Sequence, residues 1–241
     1  MTKKYLSVLL IFALVHLRIC AQVIHKPPQN LPDTLAGQNS YNGHYLKPAT
    51  FIIPGTFLVY GGLKPFVKGI RTLDDTIYSN IKTNHPDFHT NAEDFLMWTP
   101  SASVYLLDAF KLKTRHTFKE HLIIDAGSIV ITGGVGYAMR LISRHITAYT
   151  THDTKFPSGH TANAFRGAEI LHQELKYNNK LVSYSGYIIA TSVGILRLYN
   201  KDHLFTEVLA GAGLGILSTK LTYWIFDKVK YKNERNAVNI N

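Results

Sequence analysis

The chain of 241 residues carries 26 Lys and Arg against 16 Asp and Glu, a single cysteine, 46% hydrophobic residues and 17% charged residues. That balance describes one folded domain with a sizeable core and excludes disorder and coiled coil. With Cys20 alone, neither a disulfide framework nor a cysteine-based zinc site can form, so any chemistry falls to His, carboxylates, Ser/Thr and basic groups.

Lys3 and Lys4 precede an apolar run from Tyr5 to Leu17, and Ala21 offers a cleavage point before Gln22. Residues 1–21 therefore read as a secretory signal peptide. The competing reading, an uncleaved anchor, has a run shorter than the roughly 20 apolar residues of a spanning helix. Arg18 and Ile19 stand where a lipoprotein signal needs small residues, which discounts lipidation. Loss of Lys3, Lys4 and Arg18 with the leader lowers the formal charge from +10 to +7, still a surplus that favours phosphates or acidic lipid surfaces as partners. Nucleic acid is not expected, because no basic run carries interleaved aromatics.

Residues 22–47, rich in Pro, Asn, Gln and Gly, read as an extended lead-in, and the body spans 48–227. Apolar stretches follow at 51–63, 95–110, 122–142, 181–196 and 208–226, with a more amphipathic one at 161–175, all too long for strands. Glycines recur within them, as where helices approach closely. The expected fold is all-α, a bundle of about five to six helices, followed by a basic polar tail over 228–241. Two placements stay open, membrane-embedded and periplasmic. The spans hold few charges (Asp125, Lys220), yet residues 72–94 are strongly polar and 51–63 suits an interfacial or bundle-packed segment better than a crossing.

Two places concentrate chemistry. In Lys155-Phe156-Pro157-Ser158-Gly159-His160-Thr161, Ser158 is placed to cap a helix whose first turn holds Gly159 and His160. Free N–H groups and the helix dipole at such a start favour an anion, against the bland reading of an ordinary N-cap with a solvated histidine. In Arg197–Glu207, Asp202 is placed to cap a helix from His203, with His203 and Glu207 four residues apart on one face. A carboxylate there fixes the imidazole tautomer and sharpens its exposed nitrogen, against the bland reading of a surface pair. Antiparallel succession of the last four helices brings His160, Arg197 and His203 to one end of the bundle, the arrangement that in-line phosphoryl transfer requires. The basic segments Lys111–Lys119 and Lys228–Arg235 fall at the opposite end. If the bundle spans a membrane, that charge bias places the site on the outer face. His145 and His152 match no zinc-ligand spacing with His160.

The P-S-G-H element at 157–160 and the R-x5-H-x3-acid element from Arg197 to Glu207 resemble the second and third signatures of the type 2 phosphatidic acid phosphatase and vanadium haloperoxidase superfamily. The resemblance runs from about Phe95 to Phe226. It implies that His203 attacks phosphorus, Glu207 orients His203, and His160 protonates the leaving oxygen and then activates water. Ser158, Gly159 and Arg197 are then implied to hold the phosphoryl oxygens, with no metal or other cofactor.

The first signature, K-x6-R-P, is degenerate. Arg140 stands for its Lys, but Thr147-Ala148 replaces Arg-Pro, with Arg144, His145 or Lys155 as candidate compensations. Loss of one charged clamp costs on the order of 3 kcal/mol of transition-state stabilisation. Glu207 replaces Asp, and Leu196 a Ser. The expected activity is a metal-independent phosphatase of the bacterial cell envelope, exported, in the periplasm or in the inner membrane with its site on the periplasmic side. Its expected substrate is a phosphomonoester or diphosphate, soluble or lipid-linked. The alternative is a catalytically weakened relative serving as an anion-binding or structural envelope protein. Vanadate-dependent halide oxidation is a third, weaker reading.

Overall fold

The computed structural model describes residues 48–112, 114–146 and 155–238, so the expected signal peptide and lead-in over 1–47, and Thr147-Ala148, lie outside the described residues. The described residues are helical, with no strand among them. A 3-10 turn at Pro48–Phe51 leads into α1 (Ile52–Gly62), α2 (Lys68–Asn84), α3 (Ala92–Leu96), α4 (Thr99–Ala109), α5 (Phe118–Arg144), α6 (Gly159–Leu175), α7 (Lys180–Tyr199) and α8 (Phe205–Val238).

The all-helical expectation holds, but the helices outnumber the five to six foreseen. Residues 72–94 looked only polar, yet most of α2 lies there. Ile70, Ile77 and Ile81 recur at helical spacing on a half-buried face opposite charged residues, a pattern that mean polarity conceals. The stretch 95–110 is two helices, because Thr99-Pro100 opens a new one and proline suits a first turn, where its missing N–H is not needed. The basic stretch from Lys228 continues α8 as far as Val238.

The bundle is built on α6, which packs between α7 and α8 and also against α4. Small residues set these distances. A Cβ on Gly215 of α8 would meet the Ala162 carbonyl and stand 2.8 Å from Arg166 N, while Gly186 of α7 already lies against Ala168. On the other side of α8, Gly213 faces the backbone of α1 at Pro54 and Leu58, which seats that helix against the bundle.

Charges inside the bundle are paired. Arg166, 1% exposed, binds Asp125 of α5 and donates to Ser128 Oγ at 3.0 Å, and Lys220 of α8 donates to Glu169 at 2.7 Å. Unpaired charges there would be costly, and their partners bind α5, α6 and α8 together. Three helices, α5, α7 and α8 as far as Asn233, are long and apolar enough to cross a membrane.

Candidate active site

The end of α5, the start of α6, the end of α7 and the start of α8 lie at one end of the bundle. At α6 the backbone of Ser158 is extended while Gly159 is already helical, the conformational switch of an N-cap. Its hydroxyl does not cap the helix as foreseen but bonds Thr161 Oγ1 at 2.9 Å. Ser158 N donates to the Glu207 carbonyl oxygen at 3.1 Å, and its carbonyl lies against Gly211, so the 157–160 element is stitched directly to the first turns of α8.

His203 is 5% exposed and precedes α8 rather than opening it. Its Nδ1 lies 2.8 Å from Glu207 Oε2. A carboxylate can only accept, which puts the hydrogen on Nδ1 and a lone pair on Nε2. Leu204 N donates to the same Oε2 at 3.3 Å, while Oε1 is buried without a protein partner.

Asp202 does not cap α8; its carboxylate pairs with Arg197 at 3.0 Å. The cap comes from α2 instead, where Asp74 accepts from Thr206 N at 3.0 Å and from Thr206 Oγ1 at 2.5 Å. Burial pushes the Asp74 carboxyl above its ordinary range, and the Thr206 bonds and Lys64 oppose that without cancelling it.

Arg197, at the end of α7, directs Nη1 at Glu93 Oε1 (3.1 Å) and at Asp202 (3.0 Å). Its Nε is buried with no protein partner, so the opposite edge of the guanidinium remains available for a two-pronged grip on an oxyanion. Glu93 is 2% exposed and is itself held by Asn200 Nδ2 at 2.5 Å. His160, on the first turn of α6, donates from Nε2 to Asp94 Oδ1 at 2.7 Å.

Short helix α3 thus supplies one carboxylate to the arginine and the next to the histidine. It is placed by the 85–91 loop, which Lys201 pins through the Pro86 carbonyl (2.8 Å) and Asn200 through both backbone groups of Thr90. Sequence reasoning missed Asp74, Glu93 and Asp94. The signal for the last two was Asn91 followed by paired acids ahead of an apolar run, a helix-start pattern.

Of the remaining expected residues, Arg140 lines a cavity together with Pro157 and Gly159, which brings the first-signature helix to the second signature. Arg144 and Lys155 are exposed, near the end of α5 and the start of α6 respectively. Among the described residues no cluster of His, Cys, Asp and Glu is arranged to hold a metal ion.

Residues 115–231 match the family model of the PAP2 superfamily. They form a PAP2-superfamily domain. The lipid A 1-phosphatase of Porphyromonas gingivalis is 32% identical over 158 residues, covering 65% of this chain and 36% of that protein, so the chain spans little more than a third of that relative. A crystal structure of a transmembrane PAP2-type phosphatidylglycerolphosphate phosphatase from Bacillus subtilis covers 76% of this chain at 22% identity, with 97% of that chain matched and a TM-score of 0.45.

Proposed function

We propose that this PAP2-superfamily domain is a phosphoric ester hydrolase acting on a lipid-linked phosphomonoester or diphosphate through a phosphohistidine intermediate, without a metal ion. The observation that carries the reading is the contact of buried His203 Nδ1 with Glu207 at 2.8 Å, beside an arginine whose free edge is unpartnered. His203 Nε2 attacks phosphorus in line with the leaving oxygen. Glu207 stabilises the positive charge that develops on the ring. Arg197, Arg140 and the N–H groups opening α6 at Gly159 take the charge that builds on the equatorial oxygens.

His160 protonates the leaving alcohol and then draws a proton from the water that cleaves the phosphohistidine. Its Nε2 hydrogen is held by Asp94, which is half exposed, so arriving substrate exchanges with that carboxylate. The identity of the relative, a lipid A phosphatase, supports a lipid substrate.

The surface supports a membrane setting. α5 exposes Ile123, Val130 and Ile142, and α7 exposes Leu181 and Ile188, all more than half, as suits helices facing hydrocarbon. Lys119 and Lys230 sit at the end remote from the site, and the positive-inside bias supports a site on the periplasmic side of the inner membrane.

The test is phosphate release from a lipid phosphate by purified protein in detergent, with vanadate as competitor. His203→Gln should abolish release while the folded protein persists; undiminished release would overturn the mechanism. Thr147, where the family's first signature has arginine, supports a second reading, a weakened anion-binding relative. A large gain from a near-zero baseline on Thr147→Arg would favour it.

A further inference from the structure

Beside the phosphoryl-binding residues lies a cavity of about 370 Å³ between α5 and α6, with Gly159 and Arg140 in its wall. Two polar residues further along it have no evident task in the chemistry. Asn163 of α6 and Thr132 of α5 both line the cavity, and Asn163 Nδ2 and Thr132 Oγ1 are buried without a protein partner. The orientation of the amide is decided by its neighbour, because Arg166 Nε donates to Asn163 Oδ1 at 3.0 Å, leaving the NH2 group as the free side. Arg166 is in turn immobilised by Asp125, Ser128 and Ser101, so the donor is pre-organised. Thr132 shares its face of α5 with Ser128 and Asp125, which hold that arginine.

The free polar atoms are thus an amide NH2, which can only donate, and a hydroxyl, which can donate or accept, with the Arg140 guanidinium also in the wall. The rest of the wall is apolar or aromatic, with Trp98, Ile129 and Leu214. Such a lining suits an acceptor oxygen set in hydrocarbon. The donor-only NH2 requires an acceptor oxygen, and the apolar wall favours an acyl carbonyl, which is flanked by hydrocarbon, over a sugar or glycerol hydroxyl, which is flanked by further polar groups. Asn163 stands four residues beyond Gly159, about 6 Å further along the helix, which sets it on the leaving-group side of a phosphoryl group bound at the start of α6.

We propose that this cavity is a leaving-group subsite in which Asn163 Nδ2 and the Thr132 hydroxyl recognise an acyl carbonyl of a lipid phosphate. The proposal rests on the phosphatase reading and adds the residues that select the substrate. Buried donors left unpaired by a substrate lacking the carbonyl would penalise it by about tenfold per bond.

The experiment compares kcat/KM for a diacylglycerol phosphate and its dialkyl ether counterpart in the same detergent, for the wild-type protein, Asn163→Leu and the near-isosteric Thr132→Val. At about tenfold per bond the wild type should prefer the acyl substrate by about a hundredfold, each substitution should lower that ratio about tenfold, the two together should bring it towards one, and Thr132→Ser should retain it. A wild type with no acyl preference, or a ratio that survives both substitutions because both substrates lose equally, would overturn the assignment while leaving the phosphatase intact. Release of phosphate from neither substrate by the wild type would remove the phosphatase reading and the subsite with it.

Discussion

Replacing Glu207 with Gln is the substitution whose outcome the site geometry constrains most tightly. Glu207 Oε2 receives two donors, His203 Nδ1–H at 2.8 Å and Leu204 N–H at 3.3 Å. A glutamine could present either its carbonyl or its NH2 there, and the consequences differ greatly. With the NH2 towards His203, the ring would have to accept at Nδ1 and carry its hydrogen on Nε2, leaving no nucleophile; tautomer errors of that kind cost about 10⁴-fold in rate. The backbone N–H of Leu204 decides against it, because an NH2 group at that position would face a donor it cannot satisfy. The carbonyl must therefore take the Oε2 position, and the tautomer survives. What is lost is the charge on the acceptor, the difference between a charge-assisted and a neutral hydrogen bond. That difference is about 1–2 kcal/mol, or roughly 5- to 30-fold in kcat. The NH2 then occupies the Oε1 position, which already lacks a protein partner, so one unsatisfied buried group replaces another and the thermal midpoint should move little. The measurement is kcat on a lipid phosphate together with the thermal midpoint. An unchanged kcat, or a loss near 10⁴-fold, would refute the argument from Leu204.

Glycine positions should separate by what faces them. Gly215→Ala forces α8 away from the Ala162 carbonyl and Arg166 N of α6 and should lower the unfolding midpoint sharply, whereas Gly134→Ala, with open space around it, should raise stability by about 0.5–1 kcal/mol; equal effects in thermal unfolding would contradict the packing. At the far end, burial depresses His116, but the hydrogen bonds of Asp227 and Glu174 and the charge of Glu174 outweigh it, with Arg115 opposing them, so the imidazole is held above its ordinary value of 6.5. A raised basic group stabilises fully below its unfolded value and loses that contribution as pH climbs through the folded one. The midpoint should accordingly fall as pH rises from 6.5, and His116→Gln should flatten that slope. A slope unaltered by His116→Gln would show that another group sets it.

What was legible in the sequence was local. Pro157–His160 and Arg197–Glu207 are each one or two turns long, so backbone geometry alone brings their members near one another, and long apolar stretches read as helices because no strand needs that length. Pairings between distant segments were not legible. Nothing in a list of residues says that Asp74 will cap a helix 132 positions later, or that Glu93 will meet Arg197. Asp202 shows the limit most clearly. By position it is a well-placed N-cap, but a guanidinium on the preceding helix is a stronger partner for a carboxylate than a backbone N–H. The cap was left to whichever acceptor the fold delivered, and α2, hidden under its own surface charge, delivered Asp74.

The carboxylates of α3 alter how the missing first-signature arginine should be weighed. If Arg197 and His160 bind a phosphoryl group as proposed, a site whose arginine already faces Glu93 and Asp202, and whose histidine faces Asp94, cannot rely on net positive charge alone. The two bonds occupy the same Nη1, however, and leave Nε on the opposite edge unpartnered, so they fix the guanidinium plane without consuming the atoms a phosphoryl group would use. Orientation of one arginine by buried Glu93, itself held by Asn200, reduces the entropy lost when the oxyanion is gripped. A single well-held guanidinium, with the opening of α6 beside it and Arg140 at the cavity wall, can on the proposed reading supply part of what a second arginine provides elsewhere in the superfamily. On that argument restoring arginine at position 147 adds a charge to a site already organised, and the gain in kcat should fall well short of the full 3 kcal/mol, about 150-fold, that one clamp can contribute.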